Sequence, residues 1–286
     1  MTLSPVPQCV DKQGHQPLNI AGHRGCHNEG RCATLAAMSA PLLSDRVWYP
    51  KLHTESGTVS QLQAQSTMES DRQYISTPFL VLRKTPYRET SLILAGISPH
   101  EGQVHFLARG ARKVGRRQFP VADLFRVLDV VYRPGRDLVS WREAKVAADH
   151  AALVRYRSRF ESASWLARFA LLNVTRRMEC PEFFLALVTS LRRLAGTGRD
   201  VDPERLDAVV RAGAVLVFLK ENGVLPDLAT SPTKRDRLYT LLDSGRGERR
   251  PPALPIENWR RILEWALRRV EAAEFRLPFH DAGDRE

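Results

Sequence analysis

Phe79-Leu80-Val81-Leu82-Arg83-Lys84-Thr85-Pro86-Tyr87-Arg88-Glu89-Thr90-Ser91-Leu92-Ile93-Leu94-Ala95-Gly96-Ile97 decides the fold. It holds two apolar runs, Phe79–Leu82 and Ser91–Ile97, separated by turn chemistry at Pro86-Tyr87-Arg88-Glu89. Proline presets a turn backbone and cannot donate to a central ladder, so it punctuates strands. The second run closes at Pro99-His100-Glu101-Gly102, another turn sequence. Val104, Phe106 and Ala108 then alternate with His105, Leu107 and Arg109, the period of a half-buried strand. After a Gly- and Arg-rich loop, Leu124–Tyr132 predicts a fourth strand, Pro134-Gly135-Arg136-Asp137 a turn, and Leu138–Trp141 a fifth strand. Five short strands in so little chain point to a small barrel, and the five-stranded oligonucleotide-binding (OB) fold is the natural candidate.

From about residue 150 the period becomes helical. Residues 159–177 predict one helix, with Phe160, Ala163, Leu166 and Ala170 along it. Phe184, Leu187, Val188, Leu191 and Leu194 share the face of a second. Asp202-Pro203 reads as an N-cap with proline at the first helical position, and Leu206, Val210, Ala214 and Val217 mark one side of the helix that follows. Gly223 is placed to close it. Trp259, Ile262, Leu263, Ala266 and Val270 mark a last long helix. The expected class is α+β: an OB barrel over 73–149, then an all-α domain of five or six helices over 150–275, with a frayed tail over 276–286. Residues 1–72 are rich in Gln, Ser, His, Gly and Thr and have no sustained period. They are expected to be a disordered extension, with translation starting near Met68.

Across 286 residues the formal net charge is +11, and the first 67 hold five basic against four acidic groups. Nearly all of the surplus therefore falls on the folded part, which suggests a polyanionic partner. Of the four cysteines, Cys9, Cys26 and Cys32 precede the fold and only Cys180 lies within it. That excludes a disulfide framework for the bulk of the chain and fits a reducing cytoplasm. His15, His23 and His27 lie among the early cysteines, but the spacing matches no paired zinc knuckle. No apolar run reaches the roughly 20 residues of a membrane span, and the N-terminus has no signal-peptide core.

The sequence has no phosphate loop, no His-Glu-x-x-His pair, no Gly-x-Ser-x-Gly elbow and no dinucleotide fingerprint. Its densest signal is Arg109-Gly110-Ala111-Arg112-Lys113-Val114-Gly115-Arg116-Arg117, with Phe119 close behind. Guanidinium and ammonium groups neutralise phosphates, and a flexible basic loop beside an aromatic ring is how sequence-tolerant single-strand binders are built. Arg83, Lys84 and Arg88 form a second basic set around the first turn. A third lies in the helical half: Arg155, Arg157, Arg159, Arg168, Arg176 and Arg177, with Arg192-Arg193 and Lys234-Arg235 beyond. Each cluster alone reads equally as a solvated face, and Phe119 and Tyr87 equally as core.

Val81 to Leu92, followed by Gly102-Gln103-Val104 and Ala108-Arg109-Gly110-Ala111-Arg112-Lys113, resembles the N-terminal domain of the RecO family. In that family the first hairpin turn carries a Tyr-x-Glu-x-Ser stretch, here Tyr87, Glu89 and Ser91, and a later strand ends in a basic Arg-Gly-Ala-Arg, here Arg109–Arg112. Gly223-x-x-Pro226-Asp227-Leu228 resembles a segment of the family's C-terminal domain. The resemblance covers residues 74 to about 275. It implies an OB barrel, a helical domain, binding and annealing of single-stranded DNA, and help in loading recombinase onto coated DNA. It also implies RecR and the C-terminal tail of single-stranded DNA-binding protein as partners. Many members carry a four-cysteine zinc site after Pro-Asp-Leu. Here Ala229-Thr230-Ser231-Pro232 follows and no cysteine comes after Cys180, so that zinc site cannot form and no cofactor is expected.

The resulting expectation is a cytoplasmic, nucleoid-associated DNA repair mediator that catalyses no covalent step. The DNA-binding set is Arg83, Lys84, Arg88, Arg109, Arg112, Lys113, Arg116, Arg117 and Phe119. A peptide groove is expected on the first long helix, from Phe160, Trp165 and Phe169 beside Arg168, Arg176 and Arg177. The rival is a metal-dependent nucleic-acid-processing enzyme that holds substrate on the barrel. It needs clustered carboxylates, and Glu143, Glu179 and Glu182 are the nearest. A protein-binding adaptor is the third reading.

Overall fold

The strand-forming runs assemble into one sheet because each apolar face needs a partner. The computed structural model describes residues 74–112, 121–135, 137–196, 201–226 and 231–278. The expected extension over 1–72, most of the basic loop (Lys113, Arg116, Arg117 and Phe119), Asp227-Leu228 and the tail from 279 lie outside the described residues. Strands β1 (Ile75–Tyr87), β2 (Ser91–Ser98), β3 (Gly102–Ala108), β4 (Val127–Tyr132) and β5 (Trp141–Ala148) form a sheet of order β3-β2-β1-β4-β5 with every neighbour antiparallel.

The long first strand serves two neighbours. Ile75–Leu80 pairs with β4, and Leu80–Tyr87 with β2. A register shift between Val81 and Arg83 marks the change of partner. There Val81 turns its backbone to the segment before β4, donating to the Arg126 carbonyl and accepting from the Phe125 N–H at 2.9 Å each. A bulge of this kind bends a strand and lets a sheet curl. The curl closes by a parallel bridge between Phe106 and Val139, where Leu107 N–H reaches the Val139 carbonyl at 2.8 Å and Val139 N–H the His105 carbonyl at 3.0 Å. Phe106 fills the interior, with ring centroids 4.8 Å from Phe79, 5.0 Å from Tyr132 and 5.6 Å from Trp141. The α+β expectation holds, with five antiparallel strands followed by helices in an OB-type barrel plus helical array.

Two strand boundaries differ from the sequence reading. The fourth strand begins at Val127 rather than Leu124, because Phe125 adopts a positive φ of 60° and turns the chain. The fifth strand is Trp141–Ala148, not Leu138–Trp141. Of the predicted run, Val139 forms the barrel-closing bridge and Trp141, paired with Tyr132, opens the true strand. The true strand was hidden by its exposed Arg142, Glu143 and Lys145.

A 3-10 turn (Ala151–Arg155) leads into α1 (Arg157–Asn173), α2 (Pro181–Gly196), α3 (Pro203–Glu221), α4 (Pro232–Arg246) and α5 (Ile256–Ala272). Asp202 caps α3 by accepting from the Glu204 N–H at 3.0 Å, and Gly223, at φ 69°, follows its end. Helix α3 is central, buried along almost its whole length from Ala208 to Leu219. Phe169 of α1, Phe183 of α2 and Phe218 of α3 meet edge to face, and Phe275 closes over Phe218. Helix α4 had no distinct sequence signature, since it buries only Leu242, Ser244 and Gly245. Gly245 is small because α3 crosses it closely: an added Cβ would lie 2.7 Å from the Gly213 carbonyl oxygen and 2.9 Å from Val217.

Helix α1 stops at Asn173 instead of running to 177, because the next residues spend their backbone on the barrel. Thr175 carbonyl accepts from Gln103 N–H at 3.0 Å, Arg177 N–H donates to Glu101 at 2.7 Å, and Cys180 N–H to Pro99 at 2.7 Å. Burial there pushes the Cys180 thiol up to about 12, so it stays protonated and inert. Gly102, at φ 64°, sits under this segment, with Met178 backbone oxygen 2.7 Å from where a Cβ would be. At the other side of the joint, buried His150 donates from Nδ1 to the Phe125 carbonyl at 2.7 Å.

Gly102→Ala should therefore cost at least about 2 kcal/mol, from left-handed backbone strain plus the clash with the 175–178 backbone. Chemical denaturation of the variant checks this; a loss under half that size would mean that the joint gives way freely. His150 supplies a pH test. Burial holds its imidazole below the ordinary value, so the unfolded chain takes up a proton first as pH falls. Its contribution is complete above about pH 6.5 and declines below it, by at most about 1.4 kcal/mol per pH unit until the folded histidine itself protonates. His150→Asn keeps a donor for the carbonyl but removes the titration. Urea midpoints at pH 7.5 and 5.5 should differ less in that variant than in the wild type.

Candidate nucleic-acid interface

The β1–β2 hairpin sets the geometry. Its turn puts Arg88 at φ 50° with the guanidinium 5.3 Å from the Tyr87 ring centroid, and Arg83, Lys84 and Arg88 are exposed along it. Because β2 pairs Leu92 with Ala108, the end of β3 emerges beside the same hairpin. The chain then folds back. Arg112 N–H donates to the Thr90 carbonyl at 2.9 Å, and its guanidinium reaches the Arg88 carbonyl at 3.3 Å. On the far side of the basic loop, Asp123 accepts from Lys84 Nζ at 2.6 Å. Both described ends of the loop are thus held to the hairpin, and the two basic sets that lie about 20 residues apart in sequence become neighbours.

The ion pairs sort these cations. Lys84 is partly spent on Asp123: burial alone would raise that carboxyl, but hydrogen bonds from Lys84 and from the Leu124 N–H hold it below the usual carboxylate range. Arg126 is tied to Asp149 at 2.9 Å, and Arg176 to Asp137 at 2.7 Å and to the Gly135 carbonyl at 3.0 Å. Arg83, Arg88, Arg109 and Arg112 have no carboxylate partner among the described residues.

Next to Arg109, the barrel-closing seam opens into a groove of about 620 Å³ lined by Leu107, Arg109, Ser140, Trp141, Arg142, Glu143 and Lys145. Half-buried Trp141 is its aromatic wall. Arg142 and Lys145 extend the basic surface onto β5 and were missed from sequence because the strand itself was misplaced. The signal that would have found them is the alternation Trp141, Arg142, Glu143, Ala144, Lys145, Val146, which reads as a charged edge strand. Tyr74 lies beside two cations, with the guanidinium groups of Arg133 at 5.1 Å and Arg142 at 5.0 Å from its ring centroid.

The peptide groove expected on α1 does not come together. Phe169 is wholly buried and Trp165 only 8% exposed. The two rings stack at 5.5 Å inside the helical core, with the Arg211 guanidinium 4.7 Å from the Trp165 centroid. Phe160 packs edge-on against Phe125 at the joint. Arg168 is exposed on α1, but Arg176 and Arg177 lie past its end, against the barrel. The Trp165 and Phe169 rings are turned inward.

The three carboxylates that the enzyme reading relied on sit on separate elements. Glu143 lies on β5, Glu179 is exposed before α2, and Glu182 in the first turn of α2 pairs with Lys220 and Arg246. Burial works against the Glu182 carboxylate, but those two cations hold it below the ordinary range. Among the described residues no group of three or more His, Cys, Asp or Glu is placed to hold a metal ion, and no helix is long and apolar enough to cross a membrane.

Residues 72–149 match the family model described as recombination protein O, N terminal. The chain is 30% identical over 242 residues to the DNA repair protein RecO of Synechococcus elongatus, an alignment covering 71% of this chain and 90% of that protein. It is 28% identical over 147 residues to the DNA repair protein RecO of Gloeobacter violaceus, covering 51% and 54% of the two chains. With the barrel, the helical array and a relative matched over nine-tenths of its length, the chain belongs to the RecO family of DNA repair proteins.

Proposed function

We propose that this chain is a recombinational repair mediator that binds and anneals single-stranded DNA without changing it covalently. It would help load recombinase onto DNA coated by single-stranded DNA-binding protein, with RecR and the tail of that coating protein as partners. Its place of work would be the cytoplasm, at the nucleoid. The observation that supports this reading is the gathering of Arg88, Arg109 and Arg112, without carboxylate partners among the described residues, at the hairpin end of an OB barrel, with Arg83 exposed farther along β1. The loop that follows adds Lys113, Arg116 and Arg117 in sequence. Annealing follows from the same chemistry: cations between two strands screen their phosphate repulsion and release condensed counterions.

Salt dependence tests it. Each phosphate contact on a single strand contributes about −0.7 to the slope of log K against log salt. Replacing Arg112, Lys113, Arg116 and Arg117 with alanine should flatten the slope by roughly 2 to 3, if three or four of them touch phosphate. The loss should be similar for all sequences, since phosphates carry no base identity. Wild-type affinity and slope in that variant would move the DNA path off the loop, onto Arg83, Lys84 and Arg88 or the Trp141 groove. Strand annealing with and without magnesium separates the mediator from an enzyme: the expected product is intact duplex in both conditions, and cleaved DNA with magnesium would overturn the reading.

A further inference from the structure

Trp141 opens β5 beside the seam that closes the barrel. Its ring packs against Phe106 at 5.6 Å between centroids, yet the residue is only half buried. It lines the groove of about 620 Å³ together with Arg109 from β3 and Arg142, Glu143 and Lys145 from β5. Three cations and one carboxylate thus surround an aromatic wall. The β4–β5 ladder extends the pattern. Tyr132 pairs with Trp141 and Val131 with Glu143, so Arg142 is the extra residue of a bulge. A bulge re-aims a side chain. Here Arg142 lines the groove while its guanidinium lies 5.0 Å from the ring centroid of Tyr74, the exposed residue just before β1. Arg133 stands 5.1 Å from the same centroid. From the end of β3 to the start of β1, cations and aromatic rings therefore alternate: Arg109, Trp141, Arg142, Tyr74, Arg133.

We propose that this row is a base-stacking track. Single-stranded DNA leaving the basic hairpin crosses the closing seam, with one base stacked on Trp141, another on Tyr74, and the phosphates between them on Arg109, Arg142 and Lys145. The inference rests on the single-strand binding proposed above, and it adds a part of the affinity that a basic loop does not supply. Arg109 belongs both to the groove and to the loop stem, so the track continues the hairpin surface without a break. The chemistry suits a single strand. Every base has a π-face, so stacking on rings between cations tolerates any sequence. A duplex keeps its bases inside its own stack, so the two rings favour single strands over duplex, which phosphate contacts alone do not.

The test uses the full chain, fluorescent oligothymidylate, and a strand of equal length in which abasic sites replace the bases. Wild type should prefer oligothymidylate by about tenfold or more, the scale of two stacked bases. Trp141→Leu keeps an apolar contact for Phe106, and Tyr74→Leu changes an exposed position. Each should lower oligothymidylate affinity by about fivefold or more and leave affinity for the abasic strand unchanged. Stacking releases no condensed counterions, so log K against log salt should drop in parallel, with the wild-type slope. Trp141→Phe and Tyr74→Phe should recover most of the loss. Tyr74→Leu carries the test by itself if Trp141→Leu fails to fold. The track is overturned if wild type binds the two strands equally, or if either leucine variant, once folded, keeps wild-type affinity for oligothymidylate. It is also overturned if a folded variant weakens on both strands alike with a shallower slope, which would make the residue a support for phosphate contacts. Failure of wild type to bind oligothymidylate at all would count against the DNA reading itself, and the track would fall with it.

Discussion

The parallel bridge between Phe106 and Val139 is the constraint on which the barrel depends. Without it, β3 and β5 would be the two open edges of a five-stranded sheet, each with a row of unpaired backbone groups. Two backbone hydrogen bonds contribute only about 1 kcal/mol each net of what water would offer. They act together with the apolar term, because Phe106 cannot be enclosed by Phe79, Tyr132 and Trp141 unless the seam is shut. Closure also builds the surface. It sets the β5 cations beside Arg109, at the point where β3 leaves the barrel for the basic loop.

The second constraint joins the barrel to the helices through backbone rather than side chains. The 174–180 segment lies along the β2–β3 turn, donating and accepting in a short ladder with Pro99, Glu101 and Gln103. A ladder fixes distance and register more tightly than side-chain packing does, and here it admits nothing larger than glycine at 102. His150 and Phe125 hold the other side, where Phe125 also completes the bulge pairing of β1. One residue pair thus links strand bending to domain attachment.

Apolar runs, alternation and turn chemistry made four strands legible: Phe79 and Leu94 sit in continuous buried runs bounded by turn residues, Val104 in a strict alternation and Val130 in a mostly buried run. The fifth strand and α4 were not legible for the same reason: each is mostly solvated and owes its position to a neighbour, the β4 ladder for one and the Gly213–Gly245 crossing for the other. The α1 aromatics show the complementary failure. A stripe of Phe160, Trp165 and Phe169 beside arginines has the composition of a groove, and composition does not say which way a stripe faces. Arg109 and Arg112 were legible as a basic cluster, whereas the contact of Arg112 with Arg88 was a product of strand register.

That register has an electrostatic consequence. Arg83 pairs with Ala95, and Ala95 with His105, so the three lie side by side across β1, β2 and β3. Burial, then the charge of Arg83, then that of Arg176 hold the His105 imidazole below its ordinary value, with only Asp137 pulling the other way. Burial is thus the main cause, and the two neighbouring guanidinium groups add to it. The paired cations, Lys84, Arg126 and Arg176, tie loops and strand ends together, while Arg88, Arg109 and Arg112, without carboxylate partners among the described residues, are gathered where the hairpin and the loop stem meet. Like charges gathered in this way repel one another in the free protein. An anion seated among them relieves that repulsion as well as forming its own contacts, so binding and folding stability rise together.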